Sequence, residues 1–323
     1  MNIEMIRAAA TRLNGHARHT PLLNSPFIDK IAGRRVWIKP ECLQHTGSFK
    51  FRGAWSALSA LDPAIRTAGV IAFSSGNHAQ GVALAANMHD VPAVIVMPRD
   101  APALKIENTQ ALGAEVVLYE RGSEDRDIIG AQLAAERDLT LIKPFDEPQV
   151  IAGQGTTGLE IAAQAEALGV TVADVLVCCG GGGLTSGIAL ALEAEAPGLR
   201  VRPVEPERFD DVARSLRSGG IERNNAVSGN ICDAIITPQP GDITFPIMQR
   251  LCGPGLVVSE DEALAAMAHA FLRLKLVAEP GGAVALAAAL CRADQIEGED
   301  VIITISGGNV DPDLFARALR SLA

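Results

Sequence analysis

A lysine set between two phenylalanines is the first group in this sequence with chemistry to offer. In Thr46-Gly47-Ser48-Phe49-Lys50-Phe51-Arg52-Gly53, the Lys50 amine has apolar neighbours on both sides. Desolvation lowers an amine's pKa and makes it a nucleophile toward a carbonyl carbon. Read alone, the segment equally allows a surface lysine with its ammonium in water. Ser74-Ser75-Gly76-Asn77-His78-Ala79-Gln80-Gly81 follows an apolar run ending at Phe73. Ser75 or Asn77 can cap a helix there, and the free amides of a helix start attract an anion such as a substrate carboxylate. Two serines, an asparagine, a histidine and a glutamine are more polar groups than a cap needs. Gly180-Gly181-Gly182-Gly183-Leu184-Thr185-Ser186-Gly187 also follows an apolar run. Four glycines let the backbone curl around a phosphate with its N–H groups inward, and the helix dipole adds to the attraction. No P-loop lysine follows, and Thr185 and Ser186 stand where a dinucleotide fingerprint needs its last glycine, so a phosphate monoester fits better. Ser306-Gly307-Gly308-Asn309 completes the set; alone it reads as a turn at a strand end.

These groups need elements to carry them. Val36–Ile38, Val70–Phe73, Ala93–Met97, Glu115–Leu118, Val175–Cys178 and Val301–Ile305 read as strands. Runs apolar on both faces fit a parallel sheet covered by helices on each side. Gly81–Met88 and Leu184–Glu195 read as helices, and Ser259-Glu260-Asp261-Glu262 as a capping box opening a helix over Ala263–Leu276. The alternation predicts an α/β fold with two doubly wound, mostly parallel sheets. No repeat or long linker is visible, so a smaller second domain must be inserted: 54–145 as a small mobile domain, 1–53 and 146–323 as the large cofactor-binding one. Ligands in such sheets bind beyond the strands' carboxyl ends, where all four polar segments stand. Gly153-Gln154-Gly155-Thr156-Thr157-Gly158 matches G-x-G-x-x-G, but Pro148–Ala152 before it is a poor strand and reads as a helix start. Nicotinamide-cofactor binding is not expected from it.

The bulk composition narrows the class. The chain has 323 residues, 48% of them hydrophobic but only 4% aromatic, so a sizeable core must be built from Ala, Val, Leu and Ile. A net charge of −10 argues against a nucleic-acid partner and gives no support for an anionic membrane surface. No segment reaches the roughly 18 apolar residues of a membrane span, and Met1–Leu13 lacks the apolar run of a signal peptide. Six cysteines without a C-x-x-C pair suit reduced thiols, so a cytoplasmic protein is expected.

Taken together, Ser48-Phe49-Lys50, Ser75-Gly76-Asn77-His78, the four glycines and Ser306-Gly307-Gly308-Asn309 resemble the threonine dehydratase and serine racemase family. These are tryptophan-synthase-β-like, fold type II pyridoxal-phosphate enzymes, and the resemblance runs in order over nearly the whole chain. It implies that Lys50 holds pyridoxal 5′-phosphate as a Schiff base and later acts as a base. Phe49 would pack on the cofactor ring, Asn77 would bond the ring hydroxyl, and Gly180, Gly181, Gly182, Gly183 and Leu184 would cup the phosphate. Ser306 would face the pyridine nitrogen. Ser75 would stand across the ring from Lys50 as a second catalytic group, with Gly76, Asn77 and His78 around the substrate carboxylate. Gly229, in Ser228-Gly229-Asn230, matches the family's glycine beside the cofactor. A serine opposite the nitrogen cannot keep it protonated as an aspartate would, which favours prompt β-elimination over a long-lived carbanion.

Val204-Glu205-Pro206-Glu207-Arg208-Phe209-Asp210-Asp211 reads plainly as a solvated acidic loop. In the serine racemase branch the matching positions bind a divalent cation, here through Glu205, Asp211 and the Phe209 carbonyl. Such oxygen donors suit Mg2+ or Ca2+. Lys143-Pro144-Phe145-Asp146 resembles the Pro-Phe-Asp pattern of threonine dehydratases, so Phe145 is expected against a substrate methyl. Dehydration and deamination of L-threonine or L-serine to a 2-keto acid and ammonia is the leading reading. Hydroxyaspartate dehydratase, which would need a cation such as Arg52, Arg99 or Lys105 for a second carboxylate, and serine racemase are the alternatives. Cysteine-synthase-like β-replacement and a non-catalytic cofactor- or ligand-binding protein are further ones. The family implies a homodimer, and with the sequence ending at Ala323 no isoleucine feedback domain is expected.

Overall fold

A computed structural model describes residues 1–101, 103–120, 123–226 and 228–322. Nine strands are present among these residues: β1 (Arg35–Pro40), β2 (Val70–Phe73), β3 (Ala93–Pro98), β4 (Glu115–Tyr119), β5 (Thr140–Leu141), β6 (Ala173–Cys178), β7 (Leu199–Pro206), β8 (Leu256–Val258) and β9 (Asp300–Ile305). They form a five-stranded sheet in the order β1-β9-β6-β7-β8 and a four-stranded sheet in the order β4-β3-β2-β5. Every pairing between these strands is parallel. The two-sheet α/β architecture expected from the sequence is therefore present. All six residues of β6, and all six of β9, are buried, as strands with helices on both faces must be.

Three strands escape the reading of apolar runs. In Leu199-Arg-Val-Arg-Pro-Val-Glu-Pro206 the charges interrupt the pattern, yet β7 is almost wholly buried. Asp174 on the neighbouring strand resolves the conflict, accepting from Arg200 Nε at 2.8 Å and from Arg202 Nη1 at 3.0 Å. Strands β5 and β8 have two and three residues, too few for periodicity to register. Two helix extents also differ. The helix expected over Gly81–Met88 starts earlier, at Asn77. The Ser259–Glu262 capping box forms, but its helix ends as an α-helix at His269 and widens into a π turn over Ala270–Leu274.

The G-x-G-x-x-G segment lies inside a helix spanning Pro148–Ala167. Its start is set by Pro148 in the first turn and by Glu147, whose carboxylate accepts from the amides of Gln149 and Val150. A Cβ on Gly153 would come within 2.3 Å of the Arg52 carbonyl oxygen, and one on Gly155 within 2.9 Å of the Gly187 carbonyl oxygen. One on Gly158 would meet Ala191 Cβ at 2.8 Å. These glycines are packing contacts that bring two helices, Lys50–Ala60 and Gly183–Glu195, close against a third.

Candidate active site

The lysine is positioned by two distant segments lying against each other. Beyond β1 the chain turns through Thr46 and Gly47, both at positive φ. Ser48 then pairs with Gly307, the Phe49 amide donates to the Ser306 carbonyl at 3.1 Å, and the Gly308 amide donates to the Gly47 carbonyl at 2.9 Å. Lys50 opens its helix at this junction. Its Nζ donates to the Pro144 carbonyl at 2.6 Å and sits 5.1 Å from the centre of the Phe49 ring. Burial pushes the amine down to about 8, against an opposing pull from Glu279. Only one of the flanking phenylalanines contributes. Phe51 is buried within the small-sheet core, its ring tilted against those of Trp55 and His45.

Lys50 lines a cavity of about 490 Å³, together with Phe49, Ser75, Gly76, Asn77 and His78. Gly180, Gly181, Gly182, Gly183, Leu184 and Ser306 line the same cavity. Helices begin at Lys50, Asn77 and Gly183, so three helix N-termini converge on one space. Their unsatisfied first-turn amides and dipoles suit an anionic ligand. The four glycines are closely hemmed in. A Cβ would strike the Ile235 backbone from Gly180, the Phe145 ring from Gly181, Met248 from Gly182 and Gln154 from Gly183, at 2.9, 2.3, 2.5 and 2.6 Å. Gly182 also has a φ of 91°. Side chains are excluded at these four positions, so the turn meets the cavity as backbone. Phe145, expected against a substrate methyl, lines the cavity with its ring beside Gly181.

Asn77 is held at both ends. It donates to Glu279 Oε1 at 2.6 Å and accepts from Asn309 Nδ2 at 2.7 Å. His78 is buried, with Nε2 at 2.8 Å from the Ile142 carbonyl. Burial pushes its imidazole down to about 3, with Lys50 adding to the effect. The ring is thus neutral and donates its Nε2 proton to that carbonyl. Glu279 is a group the sequence reading missed. It lines the cavity, and burial raises its carboxyl to about 7, against opposing effects from Asn77, Lys105 and Lys50. Its only sequence signal was a glutamate ahead of Pro280-Gly281-Gly282. Gly229 stands differently from expectation. It is exposed, with its carbonyl held by Arg208, and the cavity is lined by the preceding Ser228 instead.

The three proposed cations separate cleanly. Arg52 is buried in an ion cluster with Glu41 and Glu160, and Arg99 pairs with Glu120 at the surface. Lys105 lines the cavity, 3.7 Å from Asp233, and Arg126 lines it as well. The acidic segment is not a solvated loop. Glu205, the penultimate residue of β7, is fully buried, its two oxygens accepting from the amides of Val212 and Ala213 at 2.9 and 2.7 Å. Asp211 Oδ1 accepts from Asn224, while its Oδ2 is buried with no partner among the described residues. Phe209 is buried beside them in sequence. Burial and the mutual repulsion of the pair hold the Glu205 carboxyl well above the usual range, and burial raises that of Asp211 to about 7. No cluster of three or more His, Cys, Asp or Glu side chains suited to a metal exists among the described residues.

Comparisons with known proteins show the family to which the chain belongs. The family described as "Pyridoxal-phosphate dependent enzyme" matches residues 13–307. The chain belongs to this family. An L-threo-3-hydroxyaspartate ammonia-lyase from Pseudomonas sp. is 45% identical, with 97% of this chain and 96% of the relative covered. Among solved structures, a threonine deaminase from T.th. is 43% identical at a TM-score of 0.90, covering 96% of this chain and 99% of that one. The serine racemase of Dictyostelium discoideum is 38% identical, also at 0.90, with the same coverage. As a pyridoxal-phosphate dependent enzyme, the chain has residues that fit the cofactor. A desolvated amine lines the cavity, and the glycine turn on the same wall has backbone amides of the kind a phosphate needs.

Proposed function

We propose that this chain is an ammonia-lyase that eliminates water from a small β-hydroxy amino acid, giving a 2-keto acid and ammonia. The observation that carries the reading is the buried Lys50 amine in one cavity with the bare tetraglycine turn and Ser306. Bound there, pyridoxal 5′-phosphate supplies an electron sink for the breaking Cα–H bond. Lys50 would hold the cofactor and, when its amine is free, its pKa near 8 would let it take up and return a proton close to neutral pH. The amides of Gly180, Gly181, Gly182, Gly183 and Leu184 would bind the phosphate, Phe49 would pack on the ring, and Asn77 would bond the ring hydroxyl. Ser306, a neutral partner for the ring nitrogen, favours prompt departure of the β-hydroxyl. Ser75 would serve as a second catalytic group beside Lys50, while Gly76, Asn77 and neutral His78 would shape the seat of the substrate carboxylate. Gly229 adds a backbone contact near the cofactor only if its segment moves inward.

L-Threonine and L-serine are the leading substrates. Hydroxyaspartate is the second reading, favoured by Lys105 and Arg126 on the cavity wall. Two cations there suit a substrate with a further carboxylate, and the Pseudomonas relative is a lyase of that class. Glu205, Asp211 and the Phe209 carbonyl form the candidate Mg2+ or Ca2+ site, supported by the unpartnered Asp211 oxygen. One assay tests both points: keto acid released from threonine, serine, hydroxyaspartate and phenylserine isomers, with and without EDTA. Keto acid from at least one of the first three, and a fall of about tenfold or more with EDTA that added Mg2+ restores, are expected. No keto acid from any isomer would leave a cofactor-carrying protein without turnover, and indifference to EDTA would remove the cation.

The remaining readings concern organisation. Membership of the two sheets supports a large unit of 1–53 and 146–323 and a small, mobile unit of 54–145. A cytoplasmic homodimer fits the six free thiols and the family, and no helix among the described residues is long and apolar enough to cross a membrane. Small-angle scattering is expected to give a dimer mass and a more compact profile with substrate. A monomer mass, or identical profiles, would set these two points aside.

A further inference from the structure

We propose that Gln154 is a side-chain ligand of the cofactor phosphate, completing a cup otherwise made of backbone. The inference rests on the cofactor reading above and adds a residue to it. Gln154 is 1% exposed and lines the cavity. Neither its Oε1 nor its Nε2 has a hydrogen-bond partner among the described residues. Buried amides are almost always bonded, and an amide unpaired at both ends is costly unless a ligand satisfies it. An apolar side chain would fill the same space without that cost.

The location selects the phosphate. Gly153 and Gly155 bring the Gln154 helix against the Lys50 and Gly183 helices, so the amide lies between their first turns. Its Nε2 is 3.0 Å from where a Cβ on Gly53 would stand, and its Oε1 is 2.6 Å from that position on Gly183. Both neighbours are glycines, which leaves the amide its slot. Asn77 and Glu279 are bonded to each other elsewhere on the cavity wall, toward Asn309. Gln154 is therefore set at the glycine turn, where the amides of the Gly183 helix face an anion. A half-turn of the terminal amide exchanges its oxygen and nitrogen, which differ little in size, and presents the NH2 group to a phosphate oxygen.

The test uses resolved apoprotein titrated with pyridoxal 5′-phosphate and, separately, with pyridoxal, following intrinsic fluorescence. Gln154→Met, which keeps the volume, is expected to weaken pyridoxal-phosphate binding about tenfold, the worth of one hydrogen bond to a charged group, and to leave pyridoxal binding unchanged. Gln154→Glu, with a carboxylate beside the phosphate, is expected to weaken it further, again without affecting pyridoxal. The 31P resonance of the bound phosphate is expected to shift in whichever variant remains folded. Pyridoxal-phosphate affinities within about twofold of wild type, or equal losses for both ligands, would overturn the proposal while leaving the cofactor reading intact. Failure of the wild-type apoprotein to bind pyridoxal phosphate would instead remove the reading beneath it.

Discussion

Lys50→Ala is expected to lower kcat by about 10⁴-fold or more, because one residue both holds the cofactor and transfers the proton. The variant is also expected to lack the visible absorbance of a lysine-linked cofactor. Folding should survive, since Lys50 gives up one hydrogen bond, to Pro144, and an uncomfortable burial. The wild-type protein carries a matching pH signature. An ordinary lysine becomes nucleophilic only as pH approaches 10.5, whereas burial places this amine near 8. Capture of the cofactor by apoprotein should therefore accelerate about tenfold per pH unit below 8 and level off above it. A capture rate that climbs through about pH 10, the range of an ordinary lysine, or a Lys50→Ala protein that turns over, would take the lysine out of the chemistry.

Arg52→Ala is expected to cost about 3–5 kcal/mol of stability, read as a lower urea midpoint. Arg52 is 1% exposed and reaches Glu41 through Nε and Nη2 at 2.8 and 2.9 Å, and Glu160 through Nη1 at 2.7 Å. Removing it strands Glu41, itself fully buried, with the Thr20 hydroxyl as its remaining side-chain partner. Glu160 suffers less, because Lys39 Nζ holds it at 2.6 Å. Arg52→Lys keeps the charge but not the two-pronged geometry and should recover only part of the loss. A cost below about 1 kcal/mol would mean that the cluster relaxes around the gap or admits water.

What the sequence made legible follows from how locally each feature is encoded. Ser48–Lys50, Ser75–His78, Gly180–Leu184 and Ser306–Asn309 are contiguous, and each follows a strand, so both their chemistry and their common location could be inferred. The central strands were readable because Val175-Leu176-Val177 and Val301-Ile302-Ile303 are apolar on both faces. Strand β7 was not, because its arginines are neutralised by Asp174, a partner that only the fold supplies. Glu279 and Gln154 were invisible as site groups for the same reason. One is an isolated glutamate, and the other sat inside a motif whose glycines turned out to serve helix packing. Arg52 could not be placed from the sequence, because burial among carboxylates leaves no mark on one. Glu205 looked like loop charge, yet it lies at the end of an interior strand.

The pairing of β1 with β9 bears on the order in which this protein is assembled. Arg35 lies opposite Asp300, 265 residues later, and the Ser48–Gly307 pairing continues the same contact. The small sheet is made from one stretch, 70–141, whose strands emerge from the ribosome close together. It can form early, whereas β1 must wait as an unpaired strand until almost the whole chain has been synthesised. Closing so long a loop adds little to the equilibrium cost, which grows only with the logarithm of length, but such non-local pairing slows folding. The pairing that sets the Lys50 segment against Ser306 and Gly307 can therefore close only once those residues have been made. A nascent chain still tethered before β9 should contain a folded small unit and an aggregation-prone strand edge, with no seat for the cofactor.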